Sequence, residues 1–313
     1  MASTSGEASR RAPVAVYVGP KENEDLERAV VEGGGRCVAF HEAEAIVWTG
    51  SSRDGFLEEI PPLVRWVQLP AAGVEAWFKH GIFDRASATF TSAAGAFGPT
   101  VAEHALSLLL LGARDLHHWV RATSWTPHVV GVLEGATVTV VGAGGVGEAL
   151  FRLLGPLETT NVAVTRSGRD VPGAHVSIAS GELAGWWPRS DYVVLAAPSS
   201  AATHHMVGRA ELEAMPAHAW LVNVGRGALV DTDALVAALE DGAIRGAALD
   251  VTDPEPLPDG HALWGLANAV ITPHVANPKP ALRRRLAARV TENVRRFAAG
   301  EELLAVVDPE RGY

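Results

Sequence analysis

The sequence predicts an α/β protein with two mostly parallel sheets, and three observations carry that prediction. Short β-rich runs alternate with helical stretches along nearly the whole 313-residue chain. The alternation breaks once, at Gly98 and Pro99, ahead of a long apolar helical stretch. Beyond the break, VTVVGAGGVGEAL (138–150) joins an apolar strand, a glycine-rich turn and a helix start, the plan of a dinucleotide-binding unit.

Taken in order, the β-rich runs over 14–18, 45–48, 63–69 and 88–90 predict strands, and 22–31 predicts a helix. Cys37 falls in the apolar run RCVAF and is expected to be a buried structural thiol. Residues 100 to about 120 predict one helix. Its apolar part over 101–111 is too short to span a bilayer and is interrupted by Glu103 and His104, which suits burial between subunits or lobes. Strands are predicted at 137–141, 162–165, 192–196, 220–224, 246–249 and 270–272, and helices at 145–154, 209–215, 232–240 and 279–298. The last helix is long enough to lead the chain back to the first lobe. The expected division is therefore 1–99 completed by 281–313, with 100–280 as the second domain.

Composition narrows the partners. With 36 acidic against 26 basic residues the net charge is −10, which argues against a general nucleic-acid surface. The opening MASTSGEASRRA is polar and no long apolar segment follows it, so a flexible tail is expected and not a secretion signal. A single cysteine allows no internal disulfide and suits a reducing compartment, which makes the cytoplasm the expected location and a membrane an unexpected one.

The glycines of the turn have separate tasks. Gly142 permits the tight turn, Gly144 removes a side chain that would block a pyrophosphate, and Gly147 lets the helix lie against its strand. The helix-start N–H groups at Gly145 and Val146 then face the phosphates. A plain turn is the alternative in a chain with 32 glycines. The next strand ends in TRSGR, so Arg166 stands where an NAD site often has an acidic residue for the ribose. A guanidinium suits a 2′-phosphate, and Ser167 or Arg169 can add donors, so NADP(H) is favoured with NAD(H) possible. The alternative is that these arginines are solvated loop residues, a reading that fits Arg169 better than Arg166.

Three later segments add titratable groups at strand ends: Arg226 in VNVGRGALVD, Asp250 and Glu255 in AALDVTDPEPLP, and His274 in ITPHV. Strand ends are where ligands gather in a doubly wound sheet. The alternatives are a helix cap or surface salt bridge for Arg226, an exposed turn for Glu255, a structural imidazole for His274 and a local turn role for Asp250.

The glycine turn, VNVGRG, ALDVTDPEPLP and ITPHV together resemble the D-isomer-specific 2-hydroxyacid dehydrogenase family, over nearly the whole chain after the tail. GPTVAEHALSLLLLGAR resembles the helix leading from that family's substrate lobe to its nucleotide lobe, and Trp125 follows as in the family. The resemblance implies a Rossmann nucleotide-binding domain and a flavodoxin-like substrate domain. It implies that Arg226 binds the substrate carboxylate and polarises its carbonyl, that His274 exchanges the proton, and that Glu255 orients His274 and favours its charged form. It places Asp250 at the nicotinamide amide or ribose, and Ala197, Pro198 and Val224 along the cofactor. Ala72 and Gly73 in LPAAGVE are implied to meet the substrate carboxylate, with Trp77 and Phe78 either an apolar wall or core. No metal is implied, and a homodimer is. The chain after the terminal helix leaves no room for the regulatory domain of the long phosphoglycerate dehydrogenases.

Departures from the family pattern are Glu75 where aspartate is common, Arg166 in place of the acidic cue, and two prolines in VANPKPAL after His274. The expected activity is interconversion of a small 2-oxoacid, glyoxylate or hydroxypyruvate, with its D-2-hydroxyacid. The alternatives are an NAD-linked dehydrogenase for bulkier 2-oxoacids and a non-catalytic nucleotide-binding co-regulator.

Overall fold

In a computed structural model of the protein, the residues described are 12–51, 60–78, 81, 83, 87–125, 127 and 129–310. All but the last residue of the opening polar segment lie outside them. The chain divides into two compact units, Met1–Ala96 with Leu282–Tyr313, and Phe97–Ala281.

The first unit runs β1 (Val14–Gly19), α1 (Glu24–Glu32), β2 (Gly35–Cys37), β3 (Ala45–Trp48), β4 (Trp66–Gln68), α2 (Glu75–Phe78) and β5 (Thr89–Thr91). Its parallel sheet has the order β2-β1-β3-β4-β5. The Asn23 side chain caps α1 by accepting from the Leu26 N–H at 3.2 Å, and Glu24, Asp25 and Glu27 complement the positive helix start. The central strand β3, AIVW, is buried along its whole length, as a strand covered on both faces must be. Trp77 is 2% exposed and packs with Trp48, Val67, Leu69 and Phe83, with Phe78 against the same cluster, so both belong to the core and not to a substrate wall.

One expectation fails here, and one strand was not anticipated. Cys37 is exposed, because the chain forms the short edge strand β2 at this point and turns the thiol outward toward the Glu27 carbonyl at 3.8 Å. Partial burial, then the Glu27 carboxylate, raises its pKa above the ordinary thiol value. Strand β2 itself, GRC, has no apolar alternation to announce it.

The second unit opens with α3 (Gly98–Ala113) and α4 (Leu116–Trp119), where one continuous helix was expected. The break falls at Asp115, which takes a left-handed φ of 55° while its carboxylate meets Arg245 at 3.3 Å and His117 at 3.5 Å. There follow β6 (Thr137–Val141), α5 (Gly145–Leu154), β7 (Thr160–Thr165), β8 (Val176–Ala179), β9 (Tyr192–Leu195), α6 (Arg209–Ala214), β10 (Trp220–Asn223), α7 (Thr232–Glu240), β11 (Gly246–Leu249), α8 (Ala262–Gly265) and β12 (Ala269–Ile271). The parallel sheet has the order β12-β11-β10-β9-β6-β7-β8. Strands β9, β10 and β11 are buried throughout, which explains their near-continuous apolar runs. Strand β8 was not anticipated, since VSIA mixes polar and apolar residues at the sheet edge.

Helix α9 (Lys279–Ala299) carries the chain across the division between the units. Within the first unit Asn293, fully buried, donates to Gln68 Oε1 at 2.9 Å and to the Leu304 carbonyl, and Arg289 donates to the carbonyls of Ser92 and Ala94. Among the described residues no helix is long and apolar enough to cross a membrane.

Candidate active site

Every strand of the second sheet points the same way, so all its carboxyl ends share one edge. Along that edge His274 follows β12, Asp250 β11, Arg226 β10, Ala197 and Pro198 β9, Gly142 β6, and Arg166 and Ser167 β7. The site residues of this unit are thus neighbours by strand order although they span more than a third of the chain. Strand β6 borders β7 on one side and β9 on the other, which makes its end the point where the strand order reverses and ligands bind.

The glycine turn is built for close approach. Gly142 has φ +85°, its N–H donates to the Val164 carbonyl at 3.0 Å, and a Cβ there would land on the Ala197 backbone. A Cβ on Gly144 would meet nothing within 4 Å, so that glycine keeps open the space above the turn. Gly147 brings α5 against β6, where a Cβ would lie 2.9 Å from Ala143 Cβ. The first turn of α5 presents the N–H groups of Gly145, Val146 and Gly147 without intrahelical acceptors. These features fit a pyrophosphate held on backbone donors.

At the end of β7 the Thr165 hydroxyl is buried and finds no hydrogen-bond partner among the described residues. Beside it Arg166 and Ser167 are exposed, and among the described residues no hydrogen bond or ion pair engages the Arg166 guanidinium. Arg169 is committed elsewhere, to Glu148 at 3.1 Å and to the carbonyls of Ala143 and Asp170. Of the two arginines, Arg166 is the exposed one whose guanidinium is not engaged by another described residue.

Arg226 is half-buried in a turn fixed by its neighbours. Asn223 donates through Nδ2 to the Arg226 carbonyl at 2.9 Å and accepts from the Gly225 N–H at 3.1 Å, while the Arg226 guanidinium donates to the Gly225 carbonyl at 2.7 Å. A Cβ on Gly227 would fall on the Thr252 carbonyl, so this turn packs directly against the loop that leads to Glu255. Val224, buried, donates to the Leu195 carbonyl and continues β10 toward Arg226.

His274 is the best-defined group. Its Nδ1 donates to Glu255 Oε1 at 2.7 Å, both side chains being about half exposed. Its backbone takes φ 51°, unusual outside glycine, and its N–H donates to the Asp250 and Thr272 carbonyls. Asp250 holds this conformation. Its carboxylate accepts from Thr272 Oγ1 at 2.6 Å, Val275 N at 2.9 Å and Ala276 N at 3.0 Å, with His104 Nε2 at 3.3 Å. Burial pushes the Asp250 carboxyl up, but the hydrogen bonds from His104, Thr272, Val275 and Ala276 outweigh it and bring it down to about 2. The side chain is wholly covered. In this structure Asp250 braces the His274 turn.

His104 and Thr272 are the functional neighbours that sequence reasoning missed. The signal was present as a polar interruption of the apolar run of α3, and it became interpretable only when α3 packed beside β11 and β12. Ala72 and Gly73 lie in the first unit, in the loop after β4, with Ala72 exposed and Gly73 half-buried.

A glycine cradle for a dinucleotide, with a guanidinium and a carboxylate-buttressed imidazole on the same sheet edge, defines a nicotinamide-type oxidoreductase site. Residues 105–276 match the family model for the D-isomer specific 2-hydroxyacid dehydrogenase NAD binding domain. A Corynebacterium melassecola protein known only as an uncharacterized protein in the proB 3′ region is 40% identical over 294 residues, 91% of this chain and 95% of its own. Glyoxylate reductase from Thermococcus litoralis is 31% identical over 240 residues, 73% of this chain and 70% of its own. The crystal structure of a D-isomer specific 2-hydroxyacid dehydrogenase from Xanthobacter autotrophicus Py2, in complex with NADPH and MES, superposes with a TM-score of 0.82 at 27% identity, covering 96% of this chain and 100% of its own. This chain belongs to the D-isomer-specific 2-hydroxyacid dehydrogenase family, NAD(P)-dependent oxidoreductases of small 2-oxoacids and 2-hydroxyacids.

Proposed function

We propose that the protein reduces a small 2-oxoacid, glyoxylate or hydroxypyruvate, with NADPH, and runs the reverse oxidation of the D-2-hydroxyacid. The observation that carries this reading is the 2.7 Å His274–Glu255 pair at the end of the strand two places from the one bearing Arg226. When bound, the nicotinamide supplies the hydride. Arg226 pairs its forked donors with the substrate carboxylate and draws charge from the adjacent carbonyl, and Ala72 and Gly73 are the substrate-binding residues of the first unit, offering backbone donors. With Nδ1 held by Glu255, His274 offers Nε2 to the carbonyl oxygen and delivers the proton there, taking it back in the oxidative direction. Gly142, Gly144, Gly145, Val146 and Gly147 hold the pyrophosphate, Ala197, Pro198 and Val224 line the cofactor, and Arg166 with Ser167 holds the 2′-phosphate.

The NADPH preference is supported by the exposed, uncommitted Arg166 and by the NADPH bound to the Xanthobacter enzyme. The small-substrate reading is supported by the glyoxylate reductase relative. The first unit, taken as residues 1–99 completed by 281–313, is the substrate domain, and its strand order β2-β1-β3-β4-β5 supports a flavodoxin-like assignment. Residues 100–280 form the dinucleotide-binding domain. A homodimer is supported by exposed apolar residues in one stretch of the second unit, Leu116, Val120, Trp125, Val129 and Val132, and light scattering tests it. A single cysteine fits the reducing cytoplasm.

The deciding experiment is a panel of 2-oxoacids assayed with NADH and with NADPH. Turnover of glyoxylate and hydroxypyruvate with NADPH is the expected result. Higher kcat/KM on branched or aromatic 2-oxoacids with NADH would replace it with the bulkier-substrate reading, and no turnover at all would favour a nucleotide-binding co-regulator.

A further inference from the structure

His204 and His205 lie in the loop after β9, and Asp253 lies in the loop after β11 that continues to Glu255. Their ligand atoms, one from each side chain, all fall within 4.8 Å of one another at the surface of the second unit. The two imidazoles stack with centroids 3.9 Å apart. Among the described residues, no hydrogen bond or ion pair engages any of the three side chains, although two imidazole rings and a carboxylate share this small volume.

The backbones that carry them are held. His204 N donates to the Ser200 carbonyl at 3.0 Å, and His205 N donates to the Ala228 carbonyl at 2.8 Å with φ at 51°. The Asp253 carbonyl accepts from Thr232 Oγ1 at 2.6 Å. The side chains are exposed and rotate at little cost, while their Cα positions are fixed from two loops. Metal–nitrogen and metal–oxygen bonds of about 2.0–2.2 Å require ligand atoms roughly 3.4 Å apart in a tetrahedral shell, so modest rotamer adjustments complete the set.

We infer that His204, His205 and Asp253 form a surface site for a late first-row divalent cation such as Zn²⁺. Two imidazoles and one carboxylate favour this class over Mg²⁺ or Ca²⁺, which take oxygen-rich shells. Water completes the coordination. Because Asp253 lies two residues before Glu255, a bound cation ties the segment carrying the His274 partner to the loop that begins at Ala197 and Pro198. The site stands independently of the proposed substrate.

The test is calorimetric titration of the tag-free full-length protein with zinc chloride alone at about pH 7.5, where a free imidazole is mostly neutral. One zinc per chain is expected, weakened at least about tenfold by His204→Ala, by Asp253→Asn and by His205→Asn, the last chosen because asparagine tolerates positive φ. Circular dichroism confirms that each variant is folded, and if His205→Asn is not, the other two decide. Zinc binding of unchanged affinity and stoichiometry in the folded variants, or no zinc binding by the parent protein, overturns the proposal.

Discussion

Glu255 Oε1 accepts from His274 Nδ1 at 2.7 Å, fixing the ring so that only Nε2 remains for proton exchange. His274→Ala is expected to lower kcat by about 10²–10⁴-fold, the usual range for a lost general acid–base group. Glu255→Gln keeps a hydrogen-bonding side chain but removes the charge, so its kcat should fall by less, roughly tenfold or more. Steady-state kinetics with thermal melts distinguishes these losses from unfolding, and an active His274→Ala enzyme would remove the imidazole from the mechanism.

Arg226→Lys retains charge and loses the planar fork. Loss of bidentate carboxylate binding should lower kcat/KM by about a hundredfold, on the order of 2.7 kcal/mol. Equal kinetics in the lysine variant would argue for a point-charge role.

Asp250 has a folded pKa of about 2 against an ordinary value of 3.8. A depressed carboxyl contributes stability that is complete above the unfolded pKa and lost as pH falls through the folded one, so this contribution disappears between about pH 4 and 2. Its size is on the order of 2 kcal/mol. Asp250→Asn should flatten that part of the stability curve. It should also lower stability near neutrality by about 1–3 kcal/mol, because an amide cannot accept from the Val275 and Ala276 N–H groups and Thr272 as a carboxylate does. Denaturant unfolding across this pH range measures both, and parallel curves for the two proteins would contradict the assignment.

Arg166→Ala should raise KM for NADPH about 10–100-fold and leave NADH nearly unchanged, since only the phosphorylated dinucleotide uses the guanidinium. An equal change for both cofactors would place Arg166 outside the 2′-phosphate site.

The two turn glycines should behave differently. Gly142→Ala forces a side chain into φ +85° and onto the Ala197 backbone, and is expected to cost about 1–3 kcal/mol or more of stability. At Gly144 a methyl meets nothing within 4 Å, so Gly144→Ala should melt with the parent protein while binding dinucleotide more weakly. Calorimetric melts paired with cofactor titration separate the two, and a stable, tightly binding Gly144→Ala would deny that glycine its role.

Much of the nucleotide-binding unit was legible because its strands are buried on both faces and read as apolar runs, and because its site residues sit directly after them. Residues 137–141, 145–154, 232–240 and 246–249 form the elements expected of them. Edge strands β2 and β8 were not legible, since an edge relaxes the demand for apolar residues, and Cys37 was misplaced for that reason. The single expected helix over 100–120 is broken by an aspartate whose left-handed turn is fixed by Arg245, far away in sequence.

The sequence by itself determined the kinds of chemistry available: a glycine turn, an arginine, a glutamate and a histidine at strand ends. Tertiary structure alone decided their order along one edge, the 2.7 Å geometry of the His274–Glu255 pair and the brace that Asp250 forms with His104 and Thr272. Parallel pairing sets that order, and burial sets the brace, because a covered carboxylate must be satisfied by whichever donors the fold brings to it.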